Sequence, residues 1–404
     1  MAVQSQTGSI VRPPPDPPGP LKWLRDNLFS SWLNSILTIF SGALLYFVLS
    51  GSLRWAVTQA DWTPVTNFTL LYAVGQYPRD EIWRVGGGLA LIALMTGLSW
   101  GRWGRALSGI GWSMVVGFIV LAVLPAPEQI TPAIRLFLAA TAGLIGLGYW
   151  LGRQPWLPSS ALGIGWGVTP LIALVLLAGF EQLSWLASVS TTAWGGLIVT
   201  FILSAGGILL SFPIGVALAL GRRSTLPVVR LFSTIFIETV RGVPLITILF
   251  MFSFILGLFL PADARLDRLM RALLAMTLFS AAYMAENVRG GLQAISPGQI
   301  EASRAIGMSS TQTMIFIVLP QALRAVIPSI AGQFISLFKD TTLVVIVGIN
   351  DLLGIGRSII NSDPAFIQHD LEVYLFVSLV YWVLSYLMSR ASRRLETRLG
   401  VGVR

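Results

Sequence analysis

The chain has 404 residues, of which 54% are hydrophobic and 11% charged, with 14 Trp and no Cys. That composition excludes an ordinary soluble enzyme, disulfide and thiol chemistry, and a Cys-ligated metal. The net charge of +9 arrives as Arg and Lys residues punctuating apolar stretches, with no basic patch interleaved with aromatics, which argues against nucleic-acid binding.

The first 30 residues carry "VRPPPDPPGPLKWLRD", too polar and too rigid for the apolar region of a cleavable signal. An extended, proline-rich cytoplasmic tail is expected here, with a docking peptide as the alternative. Apolar runs of roughly 17–25 residues then recur, each long enough to cross a hydrocarbon core of about 30 Å. Ten spans are predicted. The first five lie near 33–52, 84–101, 107–125, 133–152 and 160–180, and the second five near 193–221, 243–262, 270–288, 322–343 and 371–390. The fold class is therefore all-α, a polytopic helical membrane protein.

Most of the 27 Lys and Arg residues fall on one side of these spans. That side carries Arg12, Lys22 and Arg25, Arg102 and Arg105, Arg153, the Arg222–Arg241 group, Arg289, Arg304, Arg324 and the closing run from Arg390 to Arg404. The opposite side has Arg54, Arg79, Arg84, Arg135, Arg265, Arg268, Arg271 and Arg357. The bias predicts both termini in the cytoplasm.

The second half is more structured in sequence than the first. "TTAWGGLIVTFILSAGGILLSFPIGVALALG" runs to Gly221 without a charge and is dense in small residues, which permits close helix approach, while Pro213 points to a kink. "ETVRG" (238–242) and "ENVRG" (286–290) each place Glu and Arg three apart, facing neighbours on a helix. Glu238 with Arg241, and Glu286 with Arg289 and the adjacent Asn287, are either structural pairs or part of an inner gate or substrate contact.

Between the eighth and ninth spans, "SPGQIEASRAIGMSSTQTMIFIVLP" (296–320) is markedly polar. Ser296 and Gln299 form one capping box, with Pro297 at the first helical position, and Ser309 and Gln312 form another. Gly307 between them suits the left-handed conformation that ends helices. Two short helices joined by a sharp corner are expected, the second ending at Pro320. Glu301, Ala302 and Ala305 form a small-residue surface flanked by Ile300 and Ile306, fit for a groove on a partner. Further on, Lys339 and Asp340, with Thr341 beside them, sit at membrane depth, where ionisable groups face a protein interior or a watery path. They line a substrate path or pair between helices. The single His369 has no His or Cys companion, so no metal site is expected.

Glu301-Ala302-Ser303, followed by Gly307 and then by Ile317-Val318-Leu319-Pro320, resembles the EAA loop of ABC-importer permeases, with Ser303 where alanine is commoner. "FIETVRGVPLITILF" (236–250), "AAYMAENVRGGLQAI" (281–295) and "FKDTTLVVIVGINDLLGI" (338–355) look like the polar-amino-acid branch, the histidine, glutamate, arginine and opine-type permeases. "GQYPRDEIWR" (75–84) is similar to the longer permeases of general L-amino-acid systems.

The resemblance implies an ABC type I importer permease core of about five spans over 191–398, preceded by an additional transmembrane region over 31–190 and followed by a tail at 399–404. It implies that Glu301, Ala302, Ser303, Gly307, Ile317, Leu319 and Pro320 couple the chain to an ATPase dimer, which binds ATP and Mg. It also implies a second permease chain (a related one, or a second copy), a periplasmic amino-acid-binding protein, a polar L-amino acid as cargo and an inner-membrane location. Both lysines lack P-loop context: Lys22 follows Leu21, and Lys339 precedes Asp340. No catalytic residue or cofactor is expected in this chain. An ion-coupled secondary transporter is the alternative, with Asp340 as its mid-membrane acid.

Overall fold

The computed structural model describes residues 19–104, 107–123, 130–259 and 266–400, and its regular elements are helices. The proline-rich stretch up to residue 18, the tail residues 401–404, and Arg12, Arg105, Arg265 and Arg404 of the charge bias lie outside the described residues. The chain divides into two units between Asp61 and Trp62.

The first unit holds α1 (Pro20–Leu28) and α2 (Trp32–Thr58). The expected extended conformation fails over α1, because Pro20 sits in the first helical turn, where a missing N–H costs nothing. Ser31 caps α2 by accepting from Asn34 N at 3.2 Å. Helix α2 is apolar on every side, the pattern of a helix surrounded by lipid.

The second unit begins with the short helices α3 (Thr63–Thr66) and α4 (Thr69–Val74), followed by α5 (Ile82–Trp103), α6 (Ser108–Val123), α7 (Pro132–Gly152) and α8 (Ser159–Ala178). Helices α5 and α7 meet through glycines spaced four apart. A Cβ on Gly97 would stand 2.3 Å from the Ile145 carbonyl, and one on Gly148 would stand 2.6 Å from that of Leu94. Only glycine allows this backbone approach. The "GQYPRDEIWR" stretch then pins α5 to the end of α8. Tyr77 OH donates to Leu177 O at 2.9 Å, and the fully buried Arg84 pairs with Glu81 at 2.8 Å and donates to Ala187 O at 2.6 Å.

The remaining helices are α9 (Gly196–Arg222), α10 (Pro227–Gly242), α11 (Leu245–Phe250), a π-helical turn (Met251–Ile255) continuing into α12 (Leu256–Phe259), and α13 (Arg268–Gln293). They are followed by α14 (Pro297–Ala305), α15 (Ser310–Gln312), α16 (Leu319–Ala325), α17 (Ile327–Asp340), α18 (Leu352–Ile360) and α19 (Asp370–Leu399). Helix α13 is the hub. Ala272, Met276, Ala281, Met284, Ala285 and Val288 are fully buried along its length, against α9 and α11 in its first half and α9, α10 and α16 in its second. Helix α9 continues through Pro213 as one helix, with Gly206, Gly207 and Gly215 seated on Leu273, Leu337 and Met284. A third cluster joins Tyr72 of α4 to Ile355 of α18 and Val373 of α19.

Eight described helices are long and apolar enough to span a membrane, each matching a predicted span. The other two predicted spans differ. Within 107–125 the described residues give the 16-residue α6, about 24 Å at 1.5 Å per residue. Within 243–262, Leu245–Phe259 forms the second limb of a helix pair, α10 with α11–α12, bent by 108°. The bend has a local cause: Pro244 forces Val243 into extended backbone (φ −113, ψ 137), which breaks the helix.

Candidate functional site

Segment 296–320 folds as two short helices around a corner, with Gly307 at φ +84. The second capping box is complete: Ser309 Oγ accepts from Gln312 N at 3.2 Å, and Gln312 Oε1 accepts from Ser309 N at 2.9 Å. The first is not formed. Ser296 makes no side-chain cap, and Gln299 instead faces Gln321 at 3.4 Å. Nor does the second helix stop at Pro320. A π-helical stretch (Thr313–Val318) leads into α16, whose first turn takes the proline. Widening the turn relieves the clash between a proline ring and the carbonyl four residues earlier.

The corner has two faces. Ser303 is 3% exposed; its hydroxyl donates to Ile300 O at 2.8 Å and lies 2.9 Å from Thr313 Oγ1. Together with Ile300, Val318 and the partly buried Ile317 and Leu319, it belongs to the inner, fold-making face. The Ser303 side chain is therefore turned into the fold and not onto the corner's exposed surface. Glu301, Ala302, Ala305, Ile306, Phe316 and Pro320 are exposed. Ser303→Ala should lower stability by about 0.5–1.5 kcal/mol, because it leaves the buried Thr313 hydroxyl with one partner fewer. Ser303→Ala with Thr313→Val should recover most of that, and thermal unfolding in detergent checks both.

At the same end of α13 stands a cluster of five charges. Arg289 Nε donates to both carboxylate oxygens of Glu286 at 2.9 Å. The matching pair in "ETVRG" does not form. Glu238 bonds Arg222 at 2.8 Å, while Arg241 turns to Glu286 at 3.6 Å and lies 5.5 Å from the Tyr283 ring centroid. Arg222 also approaches Glu286 at 3.6 Å. An i,i+3 pair contributes only a few tenths of a kcal/mol, so a partner on a neighbouring helix readily displaces it. Asn287, next in the chain, is half-buried. Arg222 was missed from sequence: it closes an apolar run beside Arg223, and nothing local ties it to Glu238.

Lys339 is exposed and Asp340 half-buried, and neither has an ion-pair partner among the described residues. Thr341 does not share their situation. It is fully buried, donates to Phe338 O at 2.7 Å and lies 3.1 Å from Tyr381 OH. Tyr381 OH donates to Asp351 Oδ2 at 2.9 Å, and Asp351 caps α18 by accepting from Gly354 N at 2.9 Å. Leu352 N donates to Thr200 Oγ1 at 3.2 Å, closing the network onto α9. Burial raises the Asp351 carboxyl above the ordinary carboxylate range, while Gly354 N–H and Tyr381 pull the other way. Thr341 is thus packed inside the fold, unlike its two neighbours. Asp351, before the apolar "LLGI", carried a readable cap signal; Tyr381 carried none.

The sequence pattern of the family described as binding-protein-dependent transport system inner membrane component matches residues 211–401. The chain is 37% identical over 395 residues to the inner membrane amino-acid ABC transporter permease protein YhdY of Escherichia coli (strain K12), covering 94% of this chain and 93% of that one. It is 33% identical over 427 residues to the glutamate/glutamine/aspartate/asparagine transport system permease protein BztC of Rhodobacter capsulatus, covering 94% of each. A solved amino acid ABC transporter with histidines aligns with 50% of this chain and 92% of its own, at 28% identity and a TM-score of 0.46. Both relatives extend across the N-terminal spans as well as the C-terminal half, and both are transport permeases. Nothing among them favours the ion-coupled alternative.

Proposed function

The chain belongs to the permease subunits of amino-acid ABC importers, and from that premise we propose that segment 296–320 is the socket through which a separate ATPase drives it. One observation carries this reading: an exposed acid, Glu301, stands with exposed Ala302, Ala305 and Ile306 on a corner whose buried side is fastened to α13 and α16. A rigid corner transmits a push; a loose loop absorbs it. The ATPase dimer holds ATP and Mg, and a basic group on it pairs with Glu301. Closure of that dimer favours one permease state over the other, because ATP binds the two states with different affinity.

The charge cluster of Arg222, Glu238, Arg241, Glu286 and Arg289 lies at the same end as the socket, and in this reading it acts as an inner gate. Lys339 and Asp340 lie along the path. The permease core occupies the C-terminal half, after the additional N-terminal spans, with both termini in the cytoplasm and the chain in the inner membrane. A related permease chain (or, failing that, a second copy) completes the pathway, and a periplasmic binding protein delivers a polar L-amino acid.

Identifying every chain that copurifies from native membranes tests the assembly. Reconstituted vesicles test the energy source: uptake needs ATP and survives collapse of ion gradients. Uptake that stops with the gradient, or a preparation in which no ATPase copurifies, overturns the reading.

A further inference from the structure

Helices α5 and α7 run side by side in the same direction, and each closes on an arginine. Gly101 of α5 lies against the α7 backbone at Tyr149 and Gly152, so the residues that follow, Arg102 and Arg153, emerge at the same end of the bundle. The last turns of α19 join them there. Arg398 Nη1 donates to Trp103 O at 3.3 Å, and the Arg394 guanidinium fills the space that a side chain on Gly109 of α6 would take. Arg394 is half-buried and the other three are exposed.

No carboxylate answers these charges. Helices α5 to α8 contain no Asp or Glu, and the one acid in the last three turns of α19, Glu396, accepts from Ser392 Oγ at 2.6 Å. None of the four arginines has an ion pair among the described residues. Like charges that a fold gathers repel one another unless an anion stands between them. Trp103, Trp112, Trp150 and Trp156 are exposed around the same end, and exposed tryptophan marks the level of the lipid headgroups. The anion at that level is a phospholipid phosphate. Topology control accounts for arginines beside a span. It does not account for a glycine that makes room for Arg394, brought in from the far end of the chain.

We propose that this end of α5, α6 and α7, closed by the end of α19, is a binding site for the headgroup of an anionic phospholipid. The arginines take the phosphate and the tryptophans flank the glycerol and upper acyl chains. Leu399 O, on the same end of α19, accepts from Arg324 Nε at 2.6 Å, so a lipid held here also braces α16, the helix that follows the socket. The site does not depend on which cargo the protein carries.

Cardiolipin titrated into the copurified transporter assembly in detergent tests it, with bound lipid counted by native mass spectrometry and stability followed by thermal unfolding. The wild type should retain cardiolipin and melt higher with it, while phosphatidylcholine does neither. Arg102→Gln combined with Arg153→Gln should weaken retention about tenfold or more. Gly109→Ala removes no charge but displaces the Arg394 guanidinium, and should weaken retention about threefold. Lys22→Gln combined with Arg25→Gln removes as much exposed charge from α1 and should leave retention unchanged. Equal loss in the two double variants reduces the site to general attraction by a cationic surface and overturns it. So does a fall in melting temperature of Arg102→Gln with Arg153→Gln that is the same with and without cardiolipin, which marks the arginines as charges that only complement helix ends. Displacement of the lipid by excess inorganic phosphate overturns the lipid assignment in favour of a free anion.

Discussion

Glu301→Lys leaves the protein in the membrane at wild-type abundance, and ATP-driven amino-acid uptake falls by about tenfold or more. Glu301 is exposed on α14 and makes no ion pair among the described residues, so nothing in the fold depends on its charge. Reversing that charge acts on whatever docks there. Truncating one member of a buried interfacial charge pair costs about 2–5 kcal/mol, and reversal adds repulsion to that loss. Gly307→Val reaches the same outcome by another route. At φ +84 a β-branched residue carries about 1–3 kcal/mol of backbone strain, and relieving it opens the angle between α14 and α15. The first variant should lose the ATPase on copurification; the second should retain it with hydrolysis no longer linked to uptake. Wild-type uptake and wild-type stimulation of ATP hydrolysis in both variants would remove the socket from the mechanism.

Local signals and long-range ones explain which parts of this structure were legible in the sequence. Spans could be read because a lipid-crossing helix needs a run of set length, and the corner could be read because Ser309, Gln312 and Gly307 act within a few residues of one another. The faces of that corner could not. Ser303 is buried only because Thr313 comes round the turn to meet it, and that depends on the π-helical stretch before Pro320. Charge partners failed for the same reason: "ETVRG" and "ENVRG" look alike, yet Glu238 is taken by Arg222 from another helix and Glu286 keeps Arg289. The break before Pro244 did have its signal in the sequence, since a residue preceding proline leaves the helical region, and a single straight span over 243–262 overlooked it. The Thr200, Thr341, Asp351 and Tyr381 network draws on α9, the stretch after α17, the cap of α18 and the middle of α19. No periodicity within any one of those segments points to the others.

Lys339→Met should reduce uptake by about tenfold to a hundredfold while the assembly stays intact, with Asp340→Asn following in the same direction. Lys339 lies well inside the candidate span Ile327–Val347, exposed and without an anionic partner among the described residues. Three surroundings are open to such an ammonium, and each makes a different forecast. Facing lipid, it costs about 2.5–3.5 kcal/mol, so methionine would stabilise the protein and leave uptake unchanged. Facing a carboxylate on the second permease chain, its loss would strand that carboxylate, and copurification would fail first. Facing a watery path, it meets the carboxylate of a passing amino acid. A hydrogen bond to a charged group contributes about 1.5–3 kcal/mol, which sets the expected loss at roughly one to two orders of magnitude. Lys339→Arg keeps the charge and should restore part of the rate, which a lipid-facing ammonium does not require, and intact copurification of Lys339→Met separates the path from a partner carboxylate. Adjacent residues on a helix point about 100° apart, so Asp340 cannot neutralise Lys339 across the helix surface and each must find its own counterpart. A zwitterion moving along the path supplies both counterparts in turn, and for that reason the two variants should fail together in uptake while the protein remains folded.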